Sequence, residues 1–285
     1  MPELPEVEGV TRELRLRLPG RTIRRAETFR DRLIAPLSSA EFTSALTGAT
    51  IGDVGRRGKH ILIHLDTGRT LVVHLRMSGR FLYIDDETPL PKFVHALFHL
   101  DNGKRLAFQD QRHFAIMRLA DTATLAEMKE LRELAPEPLG PDFTPAYLAK
   151  ALAKTKRSLK EALLDQTLVL GLGNIYAAEA MFAARLHPEM AASEVPKSRI
   201  SDLHAVIQMI LEAAIEAGST IDTNPENIDG GYFGATFEEA LVVYDREGEP
   251  CIRCDTPIAR IRQGQRSTYF CPKCQKRRAP RSKSA

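Results

Sequence analysis

Four cysteines constrain this chain more than any other residues. Cys251, Cys254, Cys271 and Cys274 are all the cysteine it has in 285 residues, and they form two Cys-x-x-Cys pairs separated by sixteen residues. Thiolates spaced this way on two tight turns can close a tetrahedral site around one ion, so the sequence predicts a single structural Zn2+ held by these four side chains. Two disulfides are the poorer reading in a chain with no mark of secretion. Such a site has no open position for a substrate, so any catalysis must be sought elsewhere. Between the pairs runs Arg260 to Phe270, with Arg262, Arg266 and the β-favouring Ser267-Thr268-Tyr269-Phe270. That stretch predicts a hairpin presenting cations to a phosphate backbone, although a stabilising clip with solvated arginines would look the same in isolation.

The rest of the chain is long enough for two domains, at 43% hydrophobic and 27% charged residues. Its first helix begins at Pro5, with Glu6 and Glu8 at the positive end and Val7, Val10 and Leu14 on one face, and it stops at Pro19-Gly20. From there to about Leu119 the pattern is strand-like, with apolar runs at Ile61 to Leu65, Leu71 to Leu75, Val94 to Leu100 and Arg105 to Phe108. Asp66 to Gly68 and Asp101 to Gly103 supply turns between runs. The expectation is an N-terminal β-sandwich, 1–133, with the first helix laid along it. Four prolines between Leu134 and Pro145 predict a linker at 134–145. Helices follow at Pro145 to Ala153, Ser158 to Leu164, Asn174 to Leu186 and Ser198 to Ala217, giving an α+β chain of two domains. The helical domain is expected over 146–245, the finger over 246–276 and a basic tail over 277–285.

Net charge is only +3, so a nucleic-acid partner has to be argued from where the cations lie. Lys273 to Lys283 is the one basic block, and it reads equally as a solvated tail or as a DNA-tracking segment. No apolar run approaches the length of a membrane span, which predicts no membrane partner and a cytoplasmic, nucleoid-associated monomer.

Two further stretches carry chemistry. Leu163 to Phe182 places Gly171-Leu172-Gly173-Asn174 between two apolar helical segments, a turn whose glycines let backbone approach a phosphate while Asn174 and the next helix's amides donate. A bare helical hairpin is the commoner use of such a turn. At the start, Met1-Pro2 predicts removal of Met1, which leaves a secondary amine of modest basicity beside Glu3. Such an amine can attack an aldehydic carbon and form an iminium.

Taken together, MPELPEVE, GRRGKH at Gly55 to His60, HLRMSG at His74 to Gly79, GLGNIYAAEA and the terminal finger with QGQRSTYFC resemble the formamidopyrimidine-DNA glycosylases of the Fpg/Nei family, in the family's order and over nearly the whole chain. The resemblance implies a helix-two-turn-helix domain behind the sandwich and a base-excision repair enzyme. Such an enzyme excises 8-oxoguanine or formamidopyrimidines from duplex DNA and then cuts the strand by β,δ-elimination at the resulting abasic site. It implies Pro2 as nucleophile and Schiff base, Glu3 as the acid at the sugar oxygen, Lys59 as helper in β-elimination, and Arg266 as the finger arginine on a phosphate. Met77, Arg112 and Phe114 match the three residues inserted into the duplex once the base is flipped out. His74, Lys156, Lys160 and Asn174 match DNA-contacting positions, although both lysines read equally well as a solvated helix face. A loop over about 219–240 would cap the flipped base.

The sequence departs from the family at Phe93, where a histidine is common and His95 stands nearby as a possible DNA contact. It departs again at Gln111 and Ala115 around Arg112, and at Asp222 in the capping region. Two other functions share these motifs: an endonuclease VIII-like enzyme preferring oxidised pyrimidines, and a silent binder of damaged DNA. Leu4 and the QRHF context of Arg112 favour the purine branch. A pure binder has no need of an amine beside a carboxylate.

Overall fold

The computed structural model describes residues 1–228 and 240–277. By its internal contacts the chain divides into two units. The first is Met1–Glu133 with Ile215–Glu238, of which 229–238 lie outside the described residues, and the second is Leu134–Ala214 with Glu239–Ala285.

The first unit opens with α1 (Leu4–Arg17), which turns Val7, Val10, Thr11 and Leu14 inward and carries Arg15 and Arg17 in its last turn. It continues through β1 (Ile23–Thr28), α2 (Asp31–Ile34), α3 (Ser39–Leu46), β2 (Ile51–Arg57), β3 (His60–Leu65), β4 (Arg69–His74), β5 (Gly79–Asp85), β6 (Val94–Leu100), β7 (Lys104–Asp110) and β8 (Ile116–Asp121). The strands form two antiparallel four-stranded sheets, ordered β1-β6-β7-β5 and β2-β3-β4-β8. Phe98 and Phe108 from the first and Ile61 and Val73 from the second share one core with Val10 and Leu14 of α1. Alternation along each strand sends every second side chain into it.

Two helices stand where the sequence reading had only strands. In α3, Ser38 and Glu41 form a capping box: Glu41 N donates to Ser38 Oγ at 3.3 Å and Ser38 N to the Glu41 carboxylate at 2.9 Å. Phe42 and Leu46 then fall on one buried face. The opposite face of the first sheet is covered too, with Leu82, Ile84, Leu97 and Ala107 packing under Ile228. Pro225 O accepts from Tyr83 N at 2.7 Å. These contacts place the stretch after Ile215 with the sandwich, whereas the sequence reading put all of 146–245 in the helical domain.

The second unit contains α4 (Pro145–Ala153), α5 (Leu159–Leu164), α6 (Asn174–Ala183), α7 (Lys197–Glu216), β9 (Ala259–Gln263) and β10 (Arg266–Phe270). The proline-rich stretch expected to link the domains is packed instead. Phe143 is buried with its ring stacked on His204 at 4.9 Å, and Pro138 O accepts from Gln208 Nε2 at 2.9 Å. Proline bars this segment from helix and sheet, but one buried aromatic is enough to seat it. β9 and β10 join through Gly264 and Gln265, both at positive φ (52° and 63°), as a two-residue hairpin of this twist requires.

Candidate active site

Met1 is exposed, but the chain turns inward directly after it. Pro2 and Glu3 are both inaccessible, and Glu3 N donates to Glu6 Oε2 at 2.8 Å, the returning arm of a capping box that opens α1. The other oxygen of Glu6 accepts from Thr220 Oγ1 at 3.0 Å and Thr220 N at 3.3 Å. One carboxylate thus fixes both the first residues and the stretch that begins at Ser219.

Burial depresses the basicity of the terminal amine below its usual value. Glu3 and Glu6 oppose that shift, while Lys59 and Arg112 reinforce it. The groups that the sequence placed in separate motifs therefore share one electrostatic neighbourhood at the chain's amino end. Lys59 reaches it from the two-residue turn between β2 and β3, where Gly58 takes φ 56°. The turn is braced by Arg56, which donates to Gly58 O at 2.9 Å and to Glu8 Oε2 at 2.8 Å.

Behind Lys59, His60 and His74 face each other across β3 and β4, their rings edge to face at 4.7 Å. Burial lowers His60 to about 4 and His74 to about 2, the second lowered further by His60 and Arg76. Both rings are neutral at pH 7, so Lys59 has no cationic imidazole as neighbour. His74 Nδ1 accepts from Arg76 N at 3.0 Å, which fixes the first turn of the loop bearing Met77.

Met77 is half-buried, while Arg112 and Phe114 project outward, the guanidinium 5.5 Å from the Phe114 ring centre. Gly79 closes the Met77 loop, where a Cβ would lie 2.6 Å from Leu75 O and 2.9 Å from Phe108 Cζ. Phe93 is exposed at φ 67° with its ring near that of His113. His95 is 8% exposed, its Nε2 2.9 Å from Asp110 O and 2.8 Å from His113 Nδ1. One nitrogen of the ring read as a possible DNA contact is thus engaged inside the protein.

In the second unit, Asn174 is the first residue of α6, after the turn in which Gly171 takes φ 85°. Its Nδ2 donates to Ser267 O at 3.0 Å. Lys160 donates to the same carbonyl at 2.8 Å and to Thr268 Oγ1 at 2.5 Å. Lys160 is 1% exposed, and burial, helped by Arg266, lowers it to about 8. Its solvated-face reading is therefore corrected, because its amine holds the backbone just after Arg266. Lys156 and Arg266 are exposed.

Among the described residues, Cys251, Cys254, Cys271 and Cys274 form one group of potential metal ligands, their sulfurs all within 4.8 Å of one another. The resolved separations of 3.5 to 3.9 Å are far beyond a disulfide and close to the about 3.8 Å edge of a tetrahedron with 2.3 Å zinc–sulfur bonds. The residues fit one structural Zn2+. They also pack in one core with Ala178 and Phe182 of α6, and Gln275 Nε2 donates to Leu186 O at 2.9 Å. Glu179, which sequence reasoning missed, accepts from Val242, Val243 and Tyr244 N–H and so ties the approach to the finger onto α6. A buried charge inside an apolar helix was its only signal.

These parts define a class: a two-unit α+β protein with paired sheets, a helical turn rich in glycine, and a four-cysteine zinc ribbon. Residues 1–117 match the formamidopyrimidine-DNA glycosylase N-terminal domain, 134–225 its H2TH domain, and 248–277 the zinc finger found in FPG and IleRS. The formamidopyrimidine-DNA glycosylase of Desulforamulus reducens is 42% identical over 97% of this chain and 99% of its own length. That of Symbiobacterium thermophilum is 45% identical over 96% and 89%. Among solved structures, Lactococcus lactis Fpg in complex with abasic-site DNA superposes with a TM-score of 0.89 at 33% identity, over 96% of this chain and 100% of that one. MutM with DNA containing carbocyclic 8-oxo-G gives 0.90 at 33%, over 97% and 100%. The chain belongs to the formamidopyrimidine-DNA glycosylase family.

Proposed function

We propose that the protein is a bifunctional DNA glycosylase and abasic-site lyase that removes oxidised purines, 8-oxoguanine and formamidopyrimidines, from duplex DNA. The observation carrying this reading is the terminal amine, its basicity lowered by burial, gathered with the buried Glu3 and Lys59 and within the field of Arg112. On removal of Met1 the Pro2 nitrogen becomes the terminal amine, directly beside Glu3. Its lone pair attacks C1′, the base leaves with the glycosidic electrons, and Glu3 supplies a proton to the sugar oxygen as the ring opens. The iminium that results draws electrons away from C2′, whose proton departs in β-elimination with Lys59 assisting, as a C2′–C3′ double bond forms and the C3′–O bond breaks, releasing the 3′-phosphate. Arg266 binds a phosphate during the second elimination.

DNA is engaged by His74, Met77, Arg112, Phe114, Lys156, Lys160 and Asn174. Lys160 does so through the carbonyl it holds, and His95 through the loop it braces. Zinc supplies no step: its four cysteines hold the hairpin in shape. The capping loop falls within about 219–240 and the basic tail at 277–285, both partly outside the described residues. Acting on chromosomal DNA, the enzyme works in the cytoplasm at the nucleoid.

Borohydride trapping on a duplex with 8-oxoguanine opposite cytosine tests the reading. We expect a covalent adduct that Pro2→Gly abolishes, with intact mass showing loss of Met1. No adduct on any oxidised base would overturn it, and preferential trapping on 5-hydroxyuracil or thymine glycol would favour the pyrimidine branch.

A further inference from the structure

Asp110 closes β7 with its carboxylate 1% exposed, and each of its polar groups serves a different piece of chain. Oδ1 accepts from Ser78 Oγ at 2.5 Å and from Arg112 N at 3.2 Å, and Oδ2 accepts from Ala115 N at 2.8 Å. Its backbone carbonyl accepts from His113 N at 3.4 Å and lies 2.9 Å from His95 Nε2, while its own N–H donates to Phe93 O at 3.0 Å. Ser78 completes the circuit by accepting from Arg112 N at 3.0 Å.

This arrangement couples two loops that share no sequence neighbourhood. One carries Met77, immediately before Ser78. The other runs from Gln111 to Phe114 and is held to the carboxylate at both ends, through the N–H of Arg112 and that of Ala115 just beyond it. Arg76 (φ 53°) and His113 (φ 60°) in these loops, and Phe93 (φ 67°) in the neighbouring segment bonded to Asp110 N, all sit in the left-handed region. Such conformations persist only where the surroundings hold them. A buried carboxylate can satisfy three donors at once, which no neutral side chain of its size can do.

We propose that Asp110 is a positioning residue that presets Met77, Arg112 and Phe114 as one rigid unit for insertion into the duplex, working through Ser78. The proposal rests on the reading above of these three as the inserted residues. The loop conformation is then present before DNA arrives, so the cost of ordering it is met by folding rather than by binding. Neither Asp110 nor Ser78 touches the reacting atoms.

Asp110→Asn is the direct test in the full-length zinc protein. The amide keeps the side chain's size but turns a donor toward a donor at Ser78 or Ala115. A duplex bearing tetrahydrofuran in place of the lesion, with 2-aminopurine as the opposite base, reports insertion without chemistry. We expect the wild-type fluorescence change to be lost in Asp110→Asn. Excision from an 8-oxoguanine duplex should fall on the order of a hundredfold, as for a misplaced reacting geometry. Cleavage of a preformed abasic site in single-stranded DNA, which presents no gap to fill, should stay close to the parent's.

Ser78→Ala removes only the link between the loops and should give an intermediate loss of the same signal, which keeps the test decisive if Asp110→Asn folds poorly. Wild-type fluorescence in both variants would overturn the proposal, as would equal losses on duplex and single strand with a lowered melting temperature. Because the tetrahydrofuran signal needs no catalysis, it separates failure of this inference from failure of the glycosylase reading, which would appear as a wild-type protein that inserts but never cuts.

Discussion

The paired histidines behind Lys59, set edge to face, give the protein a specific acid sensitivity. His60 and His74 are both held below the ordinary imidazole value of 6.5, to about 4 and about 2, because burial penalises their charged forms. Below pH 6.5 the unfolded chain takes up protons that the folded one refuses. Their stabilising effect is therefore complete above that pH and is lost as pH falls toward the folded values. Each ring contributes a slope of up to about 1.4 kcal/mol per pH unit in this window. Urea midpoints between pH 7 and 4.5 should fall more gently for His60→Gln than for wild type; parallel curves would contradict this. The motifs singled out Pro2, Glu3, Lys59 and Arg112 in the sequence, and the structure brings the last three within the field of the terminal amine. Asp110, Ser78 and Glu179 were not legible, since a buried polar side chain is recognised only by what surrounds it.

At the level of elements, the four apolar runs evident in the sequence correspond to β3, β4, β6 and β7, the two inner strands of each sheet. The strands left unnamed, β1, β2, β5 and β8, are the edges. β1 and β2 bury only two residues each and expose charge along the rest, as edge strands commonly do. Periodicity is weak wherever only one neighbour strand and one face demand it. The hairpin of β9 and β10 was legible from its turn and β-branched run, but Lys160 beneath it read equally as a DNA contact or a solvated cation, and its burial was not foreseen. The two cations should separate experimentally. Lys160→Ala removes the donor to the buried Thr268 Oγ1 and leaves Ser267 O with Asn174 alone, and should cost about 1–3 kcal/mol. Arg266→Ala should leave stability and zinc content unchanged while weakening DNA binding and strand scission. Loss of zinc in Arg266→Ala would instead make that arginine structural.

For the molecule as a whole, the finger is part of the core of its unit. Cys251 and Cys271 pack with Ala178 and Phe182 of α6, and Arg253 donates to Phe182 O at 2.9 Å. Removing the metal should therefore loosen more than the hairpin. On chelation, amide exchange should accelerate in α6 as well as in β9 and β10, while β3, β4, β6 and β7 keep their protection. Acceleration confined to residues 248–277 would show the finger to be an independent module. Chain order concealed a different connection: the stretch after Ile215 follows the helices in sequence yet packs with the sandwich, through Glu6, Tyr83 and Ile84.

The place of Pro2 directly behind Met1 has a practical consequence for anyone producing this protein. Met1 is exposed, so an affinity tag or fusion partner ahead of it would find room, but on the proposed mechanism it would turn the Pro2 nitrogen into an ordinary peptide nitrogen. Purification handles belong at the other end of the polypeptide, and a preparation that keeps its initiator methionine would bind its target as well as any other while turning nothing over.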